Sequence, residues 1–270
     1  MKVVVVTRGK ESHSYKWEMA FLDGLKRHAI NCYMLQKGFP ISDEVDLVVM
    51  WSARNYGLIK DLKERGIDYL ILERGYIGDR NEYTSCGYNG LNGYADFVTD
   101  KVKKRRFSVD DFVKPYRETP GEYVLIMGQV PSDASVRHIG FNMWLEMTIS
   151  AIKNITDRKV FYRRHPLNTE PLVVDAELMN GDLHDAIAKA HCVVTLNSNS
   201  AVDTVLAGIP CVALDPGSMA YEVTNNHLSA ILQPEVFDRD KWLDKLTYCQ
   251  WTYDEIEQGQ AWEHLRGFYD

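Results

Sequence analysis

The stretch VVTLNSNSAVDTVLAGIPCVAL, residues 193–214, joins two apolar runs through a turn of small polar residues and a short helical pattern. The entering run, CVVTLN, reads as a buried strand. Asn197, Ser198, Asn199 and Ser200 form the turn. Ser200 to Ala207 is a helix that stops at Gly208 and Pro210, and IPCVAL is the next strand. Strand, helix and strand in such close order are the repeating unit of a parallel sheet. A helix that starts where a strand ends presents unpaired N–H groups and a partial positive charge. Serine hydroxyls there add donors, so the turn suits a phosphate or another anion. Asp203, one turn in, is placed to accept hydrogen bonds from a ribose. A plain N-cap by Ser198 or Ser200 explains the same residues.

The alternation extends in both directions. Upstream in the same half, residues 122–129 and 159–166 read as strands, and 142–155 and 182–190 as helices. In the first half, strands are expected over 2–7, 31–35, 46–51 and 69–75. A helix carries Trp17, Phe21 and Leu25 on one face, and another spans 57–65, ending at Gly66. Residues 76–97 are glycine-rich and aperiodic, and read as a long functional loop. Residues 100–120 are charged and end in a proline, so the domain boundary is placed there. The expected organisation is an α/β protein of two Rossmann-like parallel-sheet domains, 1–115 and 116–240, facing a cleft at the C-terminal edges of their sheets. A helical tail, 241–270, carries Trp251 and Trp262 and can pack back on the first domain.

Composition bounds the function. The 270 residues have an ordinary apolar fraction and a formal net charge of −7, so the surface as a whole does not attract nucleic acid. The five cysteines are scattered, with no CxxC pair, which disfavours a zinc site or a disulfide framework and fits a reducing cytoplasm. The opening MKVVVVTRGK holds too short an apolar run for a signal-peptide core, and no run approaches the roughly 20 residues of a membrane span.

A second turn, YRRHP at 162–166, ends another strand of the second half. Arg163 and Arg164 offer forks for phosphate, and His165 can donate to a phosphate oxygen. Together with the serine turn, this points to a nucleotide monophosphate or diphosphate. A structural histidine before a proline is the plainer account of His165. Gln129, in the polar turn VPSDASVRH's approach, stands at a third strand end.

RHP, followed by TLNSNSAVDTVLAGIP, resembles the donor-binding half of GT-B glycosyltransferases. The nearest pattern is that of capsule-type enzymes: bacterial sialyltransferases, Kdo transferases and glycerophosphotransferases. These pair a His-Pro motif with a Ser/Thr-rich motif and an acidic residue before an LLAGKP-like segment. His165-Pro166 matches the first, and Ser198 and Ser200 the second. Asp203 stands where those families often carry Glu, and Ile209 where they often carry Lys. The resemblance implies a GT-B-like, metal-independent transferase with no cofactor besides a nucleotide-sugar co-substrate. The donor would be bound by Gln129, Arg163, Arg164, His165, Asn197, Ser198, Asn199, Ser200 and Asp203. In the first half, ERGYIGDRNEYTSCGYNGLNGYADF resembles small phage-encoded glycosyltransferase-like proteins, some of which glycosylate hydroxymethylated pyrimidines in DNA. That implies Arg80, Tyr83, Tyr88, Asn89 and Asn92 as acceptor-binding residues, and the host cytoplasm as the location.

An inverting enzyme of this kind needs a base on the acceptor side. Asp79, Glu73 and His13 are the candidates, against plainer roles as a turn residue, a partner of a neighbouring arginine and a loop histidine. The basic run KVKKRR, 101–106, is either a contact for DNA phosphates or a solvated linker. The tyrosines of the 76–97 loop suit a flipped base or a sugar ring. The leading expectation is transfer to a hydroxymethylpyrimidine in phage DNA. A cell-surface or capsular saccharide is the alternative acceptor. A nucleotide-sugar 2-epimerase and a non-catalytic nucleotide-binding module are the alternative activities.

Overall fold

The computed structural model describes residues 1–170 and 174–270. In chain order the elements are β1 (Lys2–Thr7), α1 (Tyr15–Arg27), β2 (Asn31–Gln36), β3 (Leu47–Trp51), α2 (Tyr56–Arg65), β4 (Asp68–Arg74), β5 (Tyr83–Tyr88), β6 (Tyr123–Met127), α3 (Phe141–Ile155), β7 (Val160–Arg163), β8 (Glu177–Leu178), α4 (Leu183–Lys189), β9 (Ala190–Thr195), α5 (Ser200–Leu206), β10 (Cys211–Ala213), α6 (Asp240–Leu246), β11 (Gln250–Thr252), α7 (Tyr253–Glu257) and α8 (Gln260–Leu265). They form two units, Met1–Phe107 with Leu243–Asp270, and Ser108–Trp242. The division falls before the expected 115–116 boundary for a local reason. Lys114 N–H donates to Leu206 O and Arg117 N–H to Gly208 O, which lays this charged segment against the end of α5.

The sheet of the first unit has the order β11-β5-β4-β3-β1-β2. β1 to β4 pair in parallel, and β5 and β11 are antiparallel additions. The pleat divides the KVVVVT strand: Val3 and Val5 enter one core cluster, and Val4 and Val6 the other. Burial on both faces is what a continuous β-branched run specifies. Trp17, Phe21 and Leu25 of α1 pack into the first of these clusters.

Two readings of this unit need correcting. Residues 83–88 are a core strand rather than part of a loop, with Thr84 to Tyr88 buried. The glycines around it serve close packing: a Cβ on Gly75 would lie 2.5 Å from Tyr83 Cβ, and one on Gly87 2.6 Å from Ala95 Cβ. The tail is not all helix either. Gln250–Thr252 pairs antiparallel with β5, and α7 packs on α1 so closely that a Cβ on Gly24 would lie 2.2 Å from Ile256 O.

The second unit has a five-stranded sheet, order β10-β9-β6-β7-β8, parallel throughout. Its core joins Val124, Ile126, Val194 and Val212 of the strands to Phe141, Leu145, Ile149 and Ile152 of α3. The order places the C-terminal ends of β10, β9, β6 and β7 side by side. No helix among the described residues is long and apolar enough to cross a membrane.

His191 of the second unit is buried and His264 of the first half-buried, and both favour the neutral form. His191 Nε2 donates to Ile231 O at 2.9 Å, and its Nδ1 is buried with no partner among the described residues. His264 packs against the rings of Tyr248 and Trp251. Burial lowers the pKa of both. A lowered histidine pKa means that the unfolded chain binds the proton first, near pH 6.5. The stability these sites contribute is therefore complete above about pH 6.5 and is lost as the pH falls from there toward the lowered folded values. Thermal melts are expected to hold between pH 8 and 7 and to drop between pH 6.5 and 5. His191→Gln should flatten that drop.

Candidate active site

The polar residues of the second unit converge at the C-terminal edge of its sheet. β6 runs into Gly128 and Gln129. Gly128 is required because a Cβ there would lie 2.5 Å from Tyr162 Oη and 2.8 Å from Arg163 O. Gln129 is buried. Its Nε2 donates to Asn197 Oδ1 at 2.8 Å, and its Oε1 accepts from Asn197 N–H at 3.2 Å. Asn197, just past β9, donates from Nδ2 to Ser135 O at 2.8 Å and to Asp215 Oδ1 at 3.0 Å. Asp215, just past β10, also accepts from Gly217 N–H at 2.7 Å. Its Oδ2 lies 2.7 Å from His138 Nε2, which donates to the carboxylate. One buried network thus ties three adjacent strand ends to the loop after β6. Gln129, Asn197 and Asp215 are buried and have several partners each, a combination that rigidifies a site, and His138 closes the network from an exposed position.

Gln129 and Asn197, expected from the sequence to touch the donor, have a structural task in this network. Their amide groups are taken up by each other and by Ser135 and Asp215, so they shape the turns. Ser135, His138 and Asp215 were missed by the sequence reading. The signal was present: Asp215 directly follows the IPCVAL strand, and His138 closes the polar turn VPSDASVRH.

At the end of β7, His165 Nδ1 accepts from Leu167 N–H at 3.1 Å, so in the neutral ring Nε2 carries the proton. Arg163 donates to Gly181 O at 2.7 Å, and Arg164 donates to Glu170 O. Arg163 Nη1, Arg164 Nε and Tyr162 Oη are buried without a hydrogen-bond partner among the described residues. In the serine turn, Ser198 Oγ accepts from Ser200 N–H at 3.2 Å and lies 3.0 Å from Ser200 Oγ. Ser198 therefore has the cap-like role open to it from sequence, two residues ahead of its donor. Asn199 and Asp203 are half-buried at the start of α5. β7 and β9 flank β6, so the basic turn and the serine turn stand about 10 Å apart.

The first unit treats its expected site residues differently. Tyr88 is fully buried, stacked on Phe268 at 4.1 Å, with its hydroxyl donating to Leu265 O. It is a core residue, not an acceptor contact. Asn89 sits at φ 55°, with its side chain bonded to Tyr69 N–H and Asp68. Asn92, at φ 52°, accepts from the Tyr76 hydroxyl. Both are turn residues, since asparagine tolerates the left-handed region. Tyr83 stacks on Phe107 at 5.6 Å, and Arg80 is half-buried beside it in sequence. Asp79 Oδ1 accepts from the backbone and side chain of Asn81, an Asx turn, which gives its carboxylate a local structural task. Glu73 Oε1 accepts from Arg74 N–H at 3.1 Å. His13 is exposed and edge-on to Trp51 at 5.5 Å.

The basic run is corrected as well. Arg105 pairs with Asp244 at 3.2 Å, and Arg106 with Glu255. Both arginines hold the tail to its own unit, and only Lys101, Lys103 and Lys104 of the run are exposed.

No family model matches the chain, and no curated protein matches it. Among solved structures it is similar to the KpsC beta Kdo 2,7 transferase of Thermosulfurimonas dismutans, with a TM-score of 0.62 at 16% identity over 100% of both chains. It is also similar to the KpsC beta Kdo 2,4 transferase of that organism, with a TM-score of 0.56 at 14% identity over 93% of this chain and 91% of that one. Neither of these neighbours is described as acting on DNA. At such identities the likeness is one of fold: the chain has the GT-B-like α/β fold of these glycosyltransferases, with two sheets.

Proposed function

We propose that the chain transfers a sugar from a nucleotide-activated donor to a saccharide hydroxyl. The observation that carries this reading is the end of β7. Arg163 Nη1, Arg164 Nε and Tyr162 Oη are buried donors without a partner among the described residues, next to a His165 whose Nε2 carries its proton. Buried donors without acceptors are costly, and an anionic phosphate would satisfy them. Oriented donors of this kind stabilise a nucleotide leaving group as its charge develops. The serine turn at Ser198 and Ser200, with Asn199 and Asp203, holds the other part of the same donor. The Gln129–Asn197–Asp215 network keeps the two turns in register. The two KpsC domains transfer Kdo, which favours an acidic-sugar chemistry and a capsular type of saccharide over DNA as acceptor. The involvement of Arg105 and Arg106 in ion pairs of the fold supports the same preference.

The test is a transfer assay. Purified protein is incubated with UDP-, GDP- and CMP-activated sugars, CMP-Kdo among them, and with capsular oligosaccharides or hydroxymethylpyrimidine DNA. Products are weighed by mass spectrometry. A sugar-sized mass gain on the oligosaccharide is expected. His165→Ala should lower the rate about a hundredfold while leaving the melting temperature nearly unchanged. A gain on DNA nucleosides would replace the acceptor. If no sugar is transferred and no nucleotide raises the melting temperature, the transferase reading fails.

A further inference from the structure

His138 and Asp215 form a histidine–carboxylate pair at the C-terminal edge of the second sheet. The ring donates from Nε2 to Asp215 Oδ2 at 2.7 Å. Asp215 is held from its other side, where Oδ1 accepts from Asn197 Nδ2 at 3.0 Å and from Gly217 N–H at 2.7 Å. The two partners differ in access: the Asp215 side chain is 10% exposed and that of His138 42%. A carboxylate fixed in this way fixes the imidazole that donates to it. In a neutral ring that donates from Nε2, Nδ1 is the accepting nitrogen. His165 has the opposite arrangement, since its Nδ1 accepts from Leu167 N–H and its Nε2 carries the proton. One histidine of the unit is thus set to give a hydrogen bond, and the other to take a proton. The pair stands close to the serine turn. Asp215 N–H donates to Leu196 O at 3.1 Å, and Ser198 lies two residues beyond Leu196. Fastening the loop after β6 does not account for the pair. Asn197 Nδ2 already ties that loop down by donating to Ser135 O at 2.8 Å, and an ion pair with one exposed partner adds little to stability.

Sugar transfer to a hydroxyl requires that the hydroxyl lose its proton. We propose that His138 is the base that takes it and that Asp215 is its positioning residue, an inference that rests on the transferase reading above. As the acceptor oxygen bonds to the anomeric carbon, its proton passes to His138 Nδ1. The bond from that carbon to the leaving phosphate oxygen breaks, and its electron pair goes to the phosphate, which the donors at the end of β7 receive. Asp215 stabilises the imidazolium that forms and does not itself take the proton. This places the base on the second unit rather than on Asp79, Glu73 or His13 of the first.

The test is steady-state transfer by the full chain, with the donor and acceptor of the assay above that support it, beside calorimetric titration with the free nucleotide of that donor (CMP where it is CMP-Kdo). His138→Gln and His138→Ala should lower kcat about a hundredfold or more. Nucleotide affinity should stay within about twofold of the parent's, because a base acts on the acceptor and not on the nucleotide. The melting temperature should be nearly unchanged at so exposed a position. Imidazole added to the buffer should raise the kcat of His138→Ala about tenfold, by standing in for the lost ring. It should do little for His138→Gln, whose side chain fills the place. Should His138→Ala fail to fold, His138→Gln carries the kinetic arm. Transfer by His138→Gln at the parent's rate overturns the proposal and leaves the transferase reading intact. A loss that appears as weaker nucleotide binding, or that imidazole does not relieve in a folded His138→Ala, makes His138 a binding residue and overturns the proposal as well. A melting temperature that collapses in both variants makes the pair a fastening of the loop, with the same consequence. If the parent itself transfers no sugar from any donor, the transferase reading falls and the base falls with it.

Discussion

Replacing Gly208 by alanine is expected to destabilise the second unit by about 4 kcal/mol, a large part of a domain's total stability. Gly208 closes α5 in a Schellman motif. Its N–H donates to Val205 O, and Ile209 N–H to Thr204 O, with Gly208 at φ +72°. A side chain in this region costs about 1–2 kcal/mol by itself. The larger cost comes from packing: a Cβ on Gly208 would lie 2.1 Å from Pro115 O and 2.8 Å from Pro115 C. Neither is a flexible side-chain end, so the backbone of the 114–117 segment would have to move, breaking its bonds to Leu206 and Gly208. Overpacking of this kind typically costs 1–3 kcal/mol. Gly66 supplies the control. It closes α2 with the same pair of hydrogen bonds at φ +67°, and a Cβ there meets nothing within 4 Å. Gly66→Ala should show the dihedral cost alone, about 1 kcal/mol. Chemical denaturation of both variants measures the difference. Equal effects would mean that the contact with Pro115 carries no weight.

The same residue shows what the sequence made legible. Gly208 could be read as a helix stop because its cause is local: an apolar helical pattern followed by glycine and then proline. β1, β3, β6 and β9 were legible for a similar reason, since strands buried on both faces need continuous apolar runs. β5 was not. Its Thr84, Ser85 and Gly87 are buried by partners on both sides, β4 and the distant β11, and nothing in the polar and small side chains between Tyr83 and Tyr88 announces that. The site divides in the same way. The His-Pro and serine turns were visible as motifs at strand ends. That Gln129 and Asn197 would satisfy each other, and that Asp215 would join them to His138, depends on contacts between residues 18 to 77 positions apart.

Arg106 carries the second large effect. Its guanidinium donates to Thr247 O at 3.1 Å, to Gln250 O at 2.5 Å and to Glu255, and lies 4.0 Å over the Trp251 ring. Its backbone N–H donates to the Thr247 hydroxyl at 3.0 Å. Burial lowers its pKa, and the Glu255 carboxylate opposes that shift by stabilising the cation. Arg106→Ala removes the cation and leaves Glu255 and two carbonyl oxygens short of a donor. Breaking a buried pair from one side costs about 3–5 kcal/mol. Glu255 also closes the capping box of α7 with Thr252, so the loss should spread into the tail and loosen β11 from β5. Arg106→Lys restores the charge but not the planar fork, and should recover only part of the stability. Lys101, Lys103 and Lys104 of the same run are exposed, and alanine at each should change stability by no more than about 0.5 kcal/mol. Denaturant melts of these variants, set beside DNA binding across a salt series, separate the two readings of KVKKRR. A contact with DNA phosphates would make Arg106→Ala reduce the salt dependence of binding while sparing the melt. The burial and the bonding of Arg106 require the opposite pattern: a large loss of stability from this one arginine, and almost none from the three lysines beside it.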